Sequence, residues 1–217
     1  MRELTLKLPG NDNFFVQEAY KTLRTNLQFC GQDVKVIVFT SVHENEGKST
    51  IALHTAKSMA DLGKKVLLLD ADLRKSVLAG RNTNVRKAIG LSEVLTGMSS
   101  IQDCLYATQC PGLHILFAGK YPPNPVELLG SKYFAKLVTE ARKVYDYVIV
   151  DTPPLGQVID AAIVAPNCDG AVLVVGNDVS ASAASNVISQ LKKTDCKILG
   201  AVHNYTRTKR KSFFKLK

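Results

Sequence analysis

Residues 34–39 form a short apolar, β-branched run, Val-Lys-Val-Ile-Val-Phe. It breaks into the polar stretch His43-Glu44-Asn45-Glu46 and re-enters order through Gly47-Lys48-Ser49-Thr50 and a helical apolar pattern over residues 51–62, closed by Gly63. A run with little polar alternation is buried on both faces, as in a parallel strand, and a parallel strand needs a crossover helix to reach its neighbour. The loop between them has the residues of a phosphate cradle. Unpaired N–H groups at a helix start, with the partial positive charge of that end, attract an anion. Gly47 lets the backbone approach it, Lys48 adds a mobile point charge, and the Ser49 hydroxyl suits Mg²⁺. Thr50 packs or caps behind them. The usual pattern opens on a further glycine, and here Val42 stands in that place. Taken alone, the stretch also fits an ordinary strand-to-helix turn that happens to carry these residues.

The rest of the chain repeats the alternation. Strand-like runs occupy residues 65–70, 113–117, 147–151, 171–175 and 198–202, and helical patterns fall at 91–95 (with Ser92 as a cap), 131–145, 160–165 and 180–193. Strands spaced by helices predict one doubly wound α/β domain. Its sheet should be single and mostly parallel, with helices on both faces and a ligand at the carboxyl ends of the strands. Strand order is not given by this pattern, and residues 76–90 read as a loop. At 217 residues and 46% hydrophobic the chain suits one substantial core. No apolar stretch reaches the roughly 18 residues of a membrane span, and no signal-peptide core opens the sequence, so a cytosolic protein is expected. Five scattered cysteines without a Cys-x-x-Cys pair read as reduced thiols.

Two strands end in acids. Asp70-Ala71-Asp72 places two carboxylates on one side if extended geometry persists, and Asp151 precedes Thr152-Pro153-Pro154. A lone strand-end aspartate is commonly a turn former. Three acids beside a phosphate loop make a metal and general-base set, because Mg²⁺ favours carboxylates, phosphate oxygens and water.

Together, Gly47-Lys48-Ser49-Thr50, Leu67-Leu68-Leu69-Asp70-Ala71-Asp72-Leu73-Arg74 and Asp146-Tyr147-Val148-Ile149-Val150-Asp151-Thr152-Pro153-Pro154 resemble the Walker A, A′ and B motifs of bacterial tyrosine kinases, the autokinases of capsular and exopolysaccharide export. The resemblance runs from about residue 14 to 205. It implies a P-loop kinase domain over residues 1–205, using ATP and Mg²⁺. Glu46, Gly47, Lys48, Ser49 and Thr50 would line the phosphates, and Asn204 would stand at the nucleobase or act as a turn residue. Ser49, Asp72 and Asp151 would organise the metal, with Asp70 as base toward an incoming tyrosine hydroxyl. Arg74 would reach phosphates or a neighbouring subunit, or lie on the surface. The segment at about 14–29 resembles the family's ring-forming helix, with Glu18, Lys21 and Arg24 at the interface; Lys21 stands where arginine is usual, and i, i+3 surface pairs are the plainer reading. The family also implies a membrane adaptor, the chain-length regulator of polysaccharide export, that recruits the kinase to the inner face of the cell membrane.

Three departures stand out. Asn45 replaces a glycine, tolerable because asparagine visits the left-handed region readily. His43 falls where partitioning and division-site ATPases carry a signature lysine. The tyrosines are Tyr20, Tyr106, Tyr121, Tyr133, Tyr145, Tyr147 and Tyr205, so the tail cluster that such kinases phosphorylate is missing. The acceptor is then another protein, or Tyr205 or another exposed tyrosine, and an ATPase switch or a noncatalytic ATP-binding partner are the rival functions. The formal charge is +9, of which residues 207–217 carry six basic side chains and no acid. This basic tail at 206–217, with Phe213, Phe214 and Leu216, suits anionic lipid or an acidic partner as well as it suits a frayed end. Nucleic acid is not expected, since no reader module is present.

Overall fold

The computed structural model describes residues 1–8, 13–85 and 87–206. Eight strands are present among them: β1 (Arg2–Leu4), β2 (Val36–Ser41), β3 (Val66–Asp70), β4 (Leu105–Thr108), β5 (Leu113–Leu116), β6 (Tyr147–Asp151), β7 (Gly170–Val175) and β8 (Lys197–His203). They form one sheet in the order β1-β4-β5-β3-β6-β2-β7-β8, in which only the β4–β5 pairing is antiparallel. The helices are α1 (Phe14–Phe29), α2 (Lys48–Ala60), α3 (Leu78–Asn82), α4 (Leu91–Leu95), α5 (Ile101–Cys104), α6 (Pro125–Leu129), α7 (Lys132–Val144), α8 (Asp160–Val164) and α9 (Ala181–Lys192).

The central strands look continuously apolar because each face of the sheet has its own core. Val36, Val38, Leu67, Leu69, Val148, Val150, Ala171 and Leu173 point into one cluster, closed by Leu91, Phe134, Leu137, Val164 and Leu191 of the helices. Their neighbours Ile37, Phe39, Val66, Leu68, Ile149, Val172 and Val174 point into the other, closed by Leu27, Ile51, Leu53, Ala56 and Met59. Period-two side-chain alternation therefore persists, with apolar partners on both sides. Fully buried side chains such as Phe39 and Leu68 each contribute about 2–3 kcal/mol by leaving water. Helix α2 is buried nearly all round, since the sheet lies beneath it and α1 lies across it. Side-chain caps start several helices: Asn13 accepts from Phe15 and Val16, Ser131 from Phe134, and Ser180 from Ala183.

Two expectations are corrected. Ser92 does not cap α4; it lies inside the helix, and Gly90 holds the cap position, where its N–H donates 2.8 Å to the Glu93 carboxylate. The segment 76–90 is not all loop, since α3 forms a five-residue helix within it and Thr83 bridges to Leu6. The five cysteines are free thiols, and no described helix is long and apolar enough to cross a membrane. The segment 206–217 lies outside the described residues from position 207 onward.

Candidate active site

The reversal in strand order between β3, β6 and β2 opens a crevice at their carboxyl ends, where an open α/β sheet takes its ligand. The loop leaving β2 fills it. Two of its residues adopt the left-handed backbone, Asn45 at φ 64° and Gly47 at φ 82°, while Val42 does not. Asparagine at position 45 thus meets the glycine requirement expected there, and the missing first glycine costs nothing because that position needs no positive φ. Gly47 is in addition tightly packed, against the side chains of Asn204 and Tyr205. A Cβ on it would lie 2.1 Å from Asn204 Nδ2. Gly47 sits at the N-cap of α2, and the first helical hydrogen bond is Ile51 N–H to the Gly47 carbonyl at 2.9 Å. The N–H groups of Lys48, Ser49 and Thr50 therefore precede the ladder and face the crevice end.

The loop is braced from inside by Glu46. One carboxylate oxygen accepts from the N–H groups of Val42 (2.8 Å) and His43 (3.1 Å), the other from Gly176 at 3.3 Å. The Glu46 carbonyl in turn accepts 2.9 Å from Asn204 Nδ2, and the Asn204 N–H is bonded to Val175. Both residues expected at the nucleotide thus hold the cradle in shape, a role their spacing in the sequence does not reveal. The Thr152-Pro153-Pro154 turn is fastened to β2 through Thr152 Oγ1 to the Phe39 carbonyl and Thr40 Oγ1 to that of Pro153.

Strand register brings the acids together. Asp70 lies directly opposite Asp151 in the β3–β6 ladder, so both side chains leave the same face of the sheet. Lys48 Nζ sits 2.5 Å from Asp151 and 3.1 Å from Ser49 Oγ, both Lys48 and Asp151 being buried. Burial, then the neighbouring Asp151, push the Asp70 carboxyl up to about 8. Burial also raises Asp72. The extended geometry expected through Asp72 ends at Asp70. Asp72 donates its N–H to Asp70 at 3.2 Å and uses its own carboxylate to accept from the N–H groups of Arg74 and Lys75. It remains on the wall of the crevice, a cavity of about 430 Å³ lined also by Gly47, Lys48, Ser49, Thr50, Pro154 and Gln157.

Two partners of the site were not legible in the sequence. The Ser76 hydroxyl donates to Asp70, holding the carboxyl from six residues away. Arg74, on the crevice wall, makes a two-pronged contact of 2.8 and 2.9 Å with the fully buried Asp160. In α1, Glu18 and Lys21 pair at 2.7 Å on the exposed surface, whereas Arg24 turns inward and donates to the carbonyl and hydroxyl of Ser58 in α2.

The residues fit Mg²⁺. Asp151 and the Ser49 hydroxyl meet at the Lys48 ammonium, Asp70 stands opposite Asp151 in the ladder, and Asp72 lies on the crevice wall, an oxygen-rich donor set of the kind a hard cation takes. Among the described residues no three His, Cys, Asp or Glu side chains form a closed metal cage; a Mg²⁺ here would take its remaining ligands from phosphate oxygens and water.

Residues 34–204 match a family described as an AAA domain. The tyrosine-protein kinase CpsD of Streptococcus agalactiae is 40% identical over 189 residues, covering 87% of this chain and 82% of that protein. The solved kinase domain of Escherichia coli tyrosine kinase ETK superposes with a TM-score of 0.85 at 30% identity, over 93% of this chain and 82% of that one. The septum site-determining protein MinD of Pyrococcus horikoshii, solved with Mg-ADP, is more distant: TM-score 0.67, 26% identity, 81% and 72% coverage. With the P-loop, the paired strand-end acids and these similarities in hand, this chain belongs to the bacterial tyrosine-protein kinase family.

Proposed function

We propose that this chain transfers the γ-phosphoryl group of ATP to protein tyrosine in an Mg²⁺-dependent reaction that regulates capsular or exopolysaccharide synthesis and export. The observation that carries this reading is the in-register pair Asp70 and Asp151 at the end of adjacent strands, with Lys48 drawn between them and the α2 N-terminus. Ser49, Asp72 and Asp151 would hold Mg²⁺, which would supply charge neutralisation during the transfer. Lys48 is long enough to exchange Asp151 for phosphate, and the first turn of α2 donates its free N–H groups to the same oxygens. Burial and Asp151 raise the Asp70 carboxyl to about 8 in the nucleotide-free site, close to the neutral range that suits a general base, and Mg²⁺ bound nearby would favour the deprotonated form that accepts a proton. In the step itself the acceptor phenol oxygen bonds to the γ phosphorus as the bond from that phosphorus to the β-bridging oxygen breaks. The phenol proton passes to Asp70, and ADP leaves. Asn204, beside Gly47 at the rim, would stand at the nucleobase.

The ring-forming surface would be α1, presenting Glu18 and Lys21 to a neighbouring subunit while Arg24 fixes the helix on α2. A membrane adaptor of the export machinery would bring the cytoplasmic kinase to the membrane, with the basic segment 206–217 adding contact to anionic lipid. His43, in place of the lysine of the partitioning motors, favours the kinase reading over their ATPase switch. Incubation with γ-labelled ATP, Mg²⁺ and the cytoplasmic segment of the adaptor, followed by mapping of phosphotyrosine, tests the proposal. Label on tyrosine that disappears with EDTA and in Lys48→Met is expected; phosphate release without phosphotyrosine would move the function to an ATPase, and label persisting in Lys48→Met would remove the phosphate loop from the mechanism.

A further inference from the structure

A second cavity, of about 880 Å³, adjoins the nucleotide crevice and shares the wall formed by Val77 and Arg81 with it. Its floor is apolar, with Phe117 and Ile89, and its charged lining side chains, Arg81, Lys87 and Lys120, are all cationic and exposed. Ser76 connects it to the chemistry, since this residue lines the cavity while its hydroxyl holds Asp70. A phenol already stands at that junction. Tyr121, more than half exposed, donates its hydroxyl 2.8 Å to the Ser76 carbonyl.

We propose that this cavity is the docking groove for the acceptor, and that it selects a tyrosine flanked by acidic residues on a separate protein. The proposal rests on the kinase reading and adds its substrate preference. Glutamate or aspartate on either side of the tyrosine would meet Arg81, Lys87 and Lys120, while the ring lies over the apolar floor beside Tyr121 and its hydroxyl points past Ser76 to Asp70. The basic residues 207–217 carry the same sign as the groove, whereas an acidic segment of another protein complements it.

Three peptides test this, with a central tyrosine flanked by glutamates, alanines or lysines, each with a fluorescent label. Binding is followed by anisotropy with Mg-ADP present, and transfer from Mg-ATP by kcat/KM. Two or three partly exposed ion pairs give an expected preference of about fivefold to tenfold for the acidic over the neutral peptide. It should appear in KM and in binding, and shrink as salt rises. The double variant Lys87→Glu with Lys120→Glu should reverse the preference toward the lysine peptide, a change that simple loss of structure does not produce; Lys87→Gln with Lys120→Gln should level the two. Equal binding and turnover of all three peptides, or an acidic preference unmoved by the charge reversal, would overturn the groove even if phosphotyrosine forms. Selective binding that reverses in the variant, with no phosphotyrosine from any peptide, would uphold the groove and overturn the kinase reading instead.

Discussion

Replacing Asp70 by asparagine is expected to stabilise the nucleotide-free protein by an amount that grows with pH. Asp70 is fully buried, and burial followed by the adjacent Asp151 raises its carboxyl from the ordinary value of about 4 to about 8. Between those values the folded protein keeps a proton that the unfolded chain has released. The stability held by that proton is fully present below about pH 4 and is lost as pH rises through about 8. Each unit crossed costs about 1.4 kcal/mol, so the penalty reaches on the order of 4 kcal/mol by about pH 7. An asparagine is neutral like the protonated acid: its oxygen accepts from the Asp72 N–H, as Oδ1 does now, and the Ser76 contact, in which the hydroxyl now donates, is kept with its direction reversed, the amide donating. It removes the charge while keeping the contacts. Thermal unfolding of wild type and Asp70→Asn from about pH 4.5 to 8, without nucleotide or Mg²⁺, measures the difference. The two should nearly coincide at the acid end and separate by on the order of 10 °C at the other, given about 2–4 °C per kcal/mol for a domain of this size. Parallel curves across the range would refute the idea that this carboxyl is held protonated by its surroundings.

Other expected outcomes follow from single contacts. Gly47→Ala would force a Cβ to 2.1 Å from Asn204 and hold an alanine at φ 82°. Beyond about 1–2 kcal/mol of backbone strain, titration with a fluorescent ADP analogue should show affinity falling at least tenfold; wild-type affinity would mean the cradle does not depend on this contact. Arg74→Ala leaves the fully buried Asp160 without its guanidinium. Urea unfolding should report a loss of about 2–4 kcal/mol, which Arg74→Lys only partly recovers, since lysine lacks the two-pronged fork. Glu46→Ala removes the acceptor of three backbone N–H groups and should cost about 2–3 kcal/mol and weaken ADP binding together, visible as a melting temperature that nucleotide no longer raises.

The sequence made the phosphate loop and the central strands readable because both rest on local physics. Val36 to Phe39 and Leu67 to Leu69 are buried on both faces, so their apolar run needs no partner to be recognised, and Gly47-Lys48-Ser49 carries its chemistry within one turn. What depends on distant pairing was not readable. Strand order rests on which ladder each strand joins; β1 spans three residues with only Leu4 buried, and β4 is a short segment stabilised by an antiparallel turn to β5. The partner of Arg74 lies 86 residues away, and nothing in the spacing points to Asp160. Glu46 and Asn204 are 158 residues apart, and only the closed fold shows that together they brace the loop. Asp70, Asp72 and Asp151 were recognisable as strand-end acids, but their electrostatic coupling follows from the β3–β6 register.

The most direct test of phosphoryl transfer to tyrosine is the partition of γ-labelled phosphate in a single turnover with Mg²⁺ and an acidic tyrosine peptide. Most of the label is expected on tyrosine, with transfer falling at least a hundredfold in Asp70→Asn, the scale of a lost general base, while ADP binding persists. Label released chiefly as inorganic phosphate at equal rates in wild type and Asp70→Asn would contradict a kinase site built on Asp70.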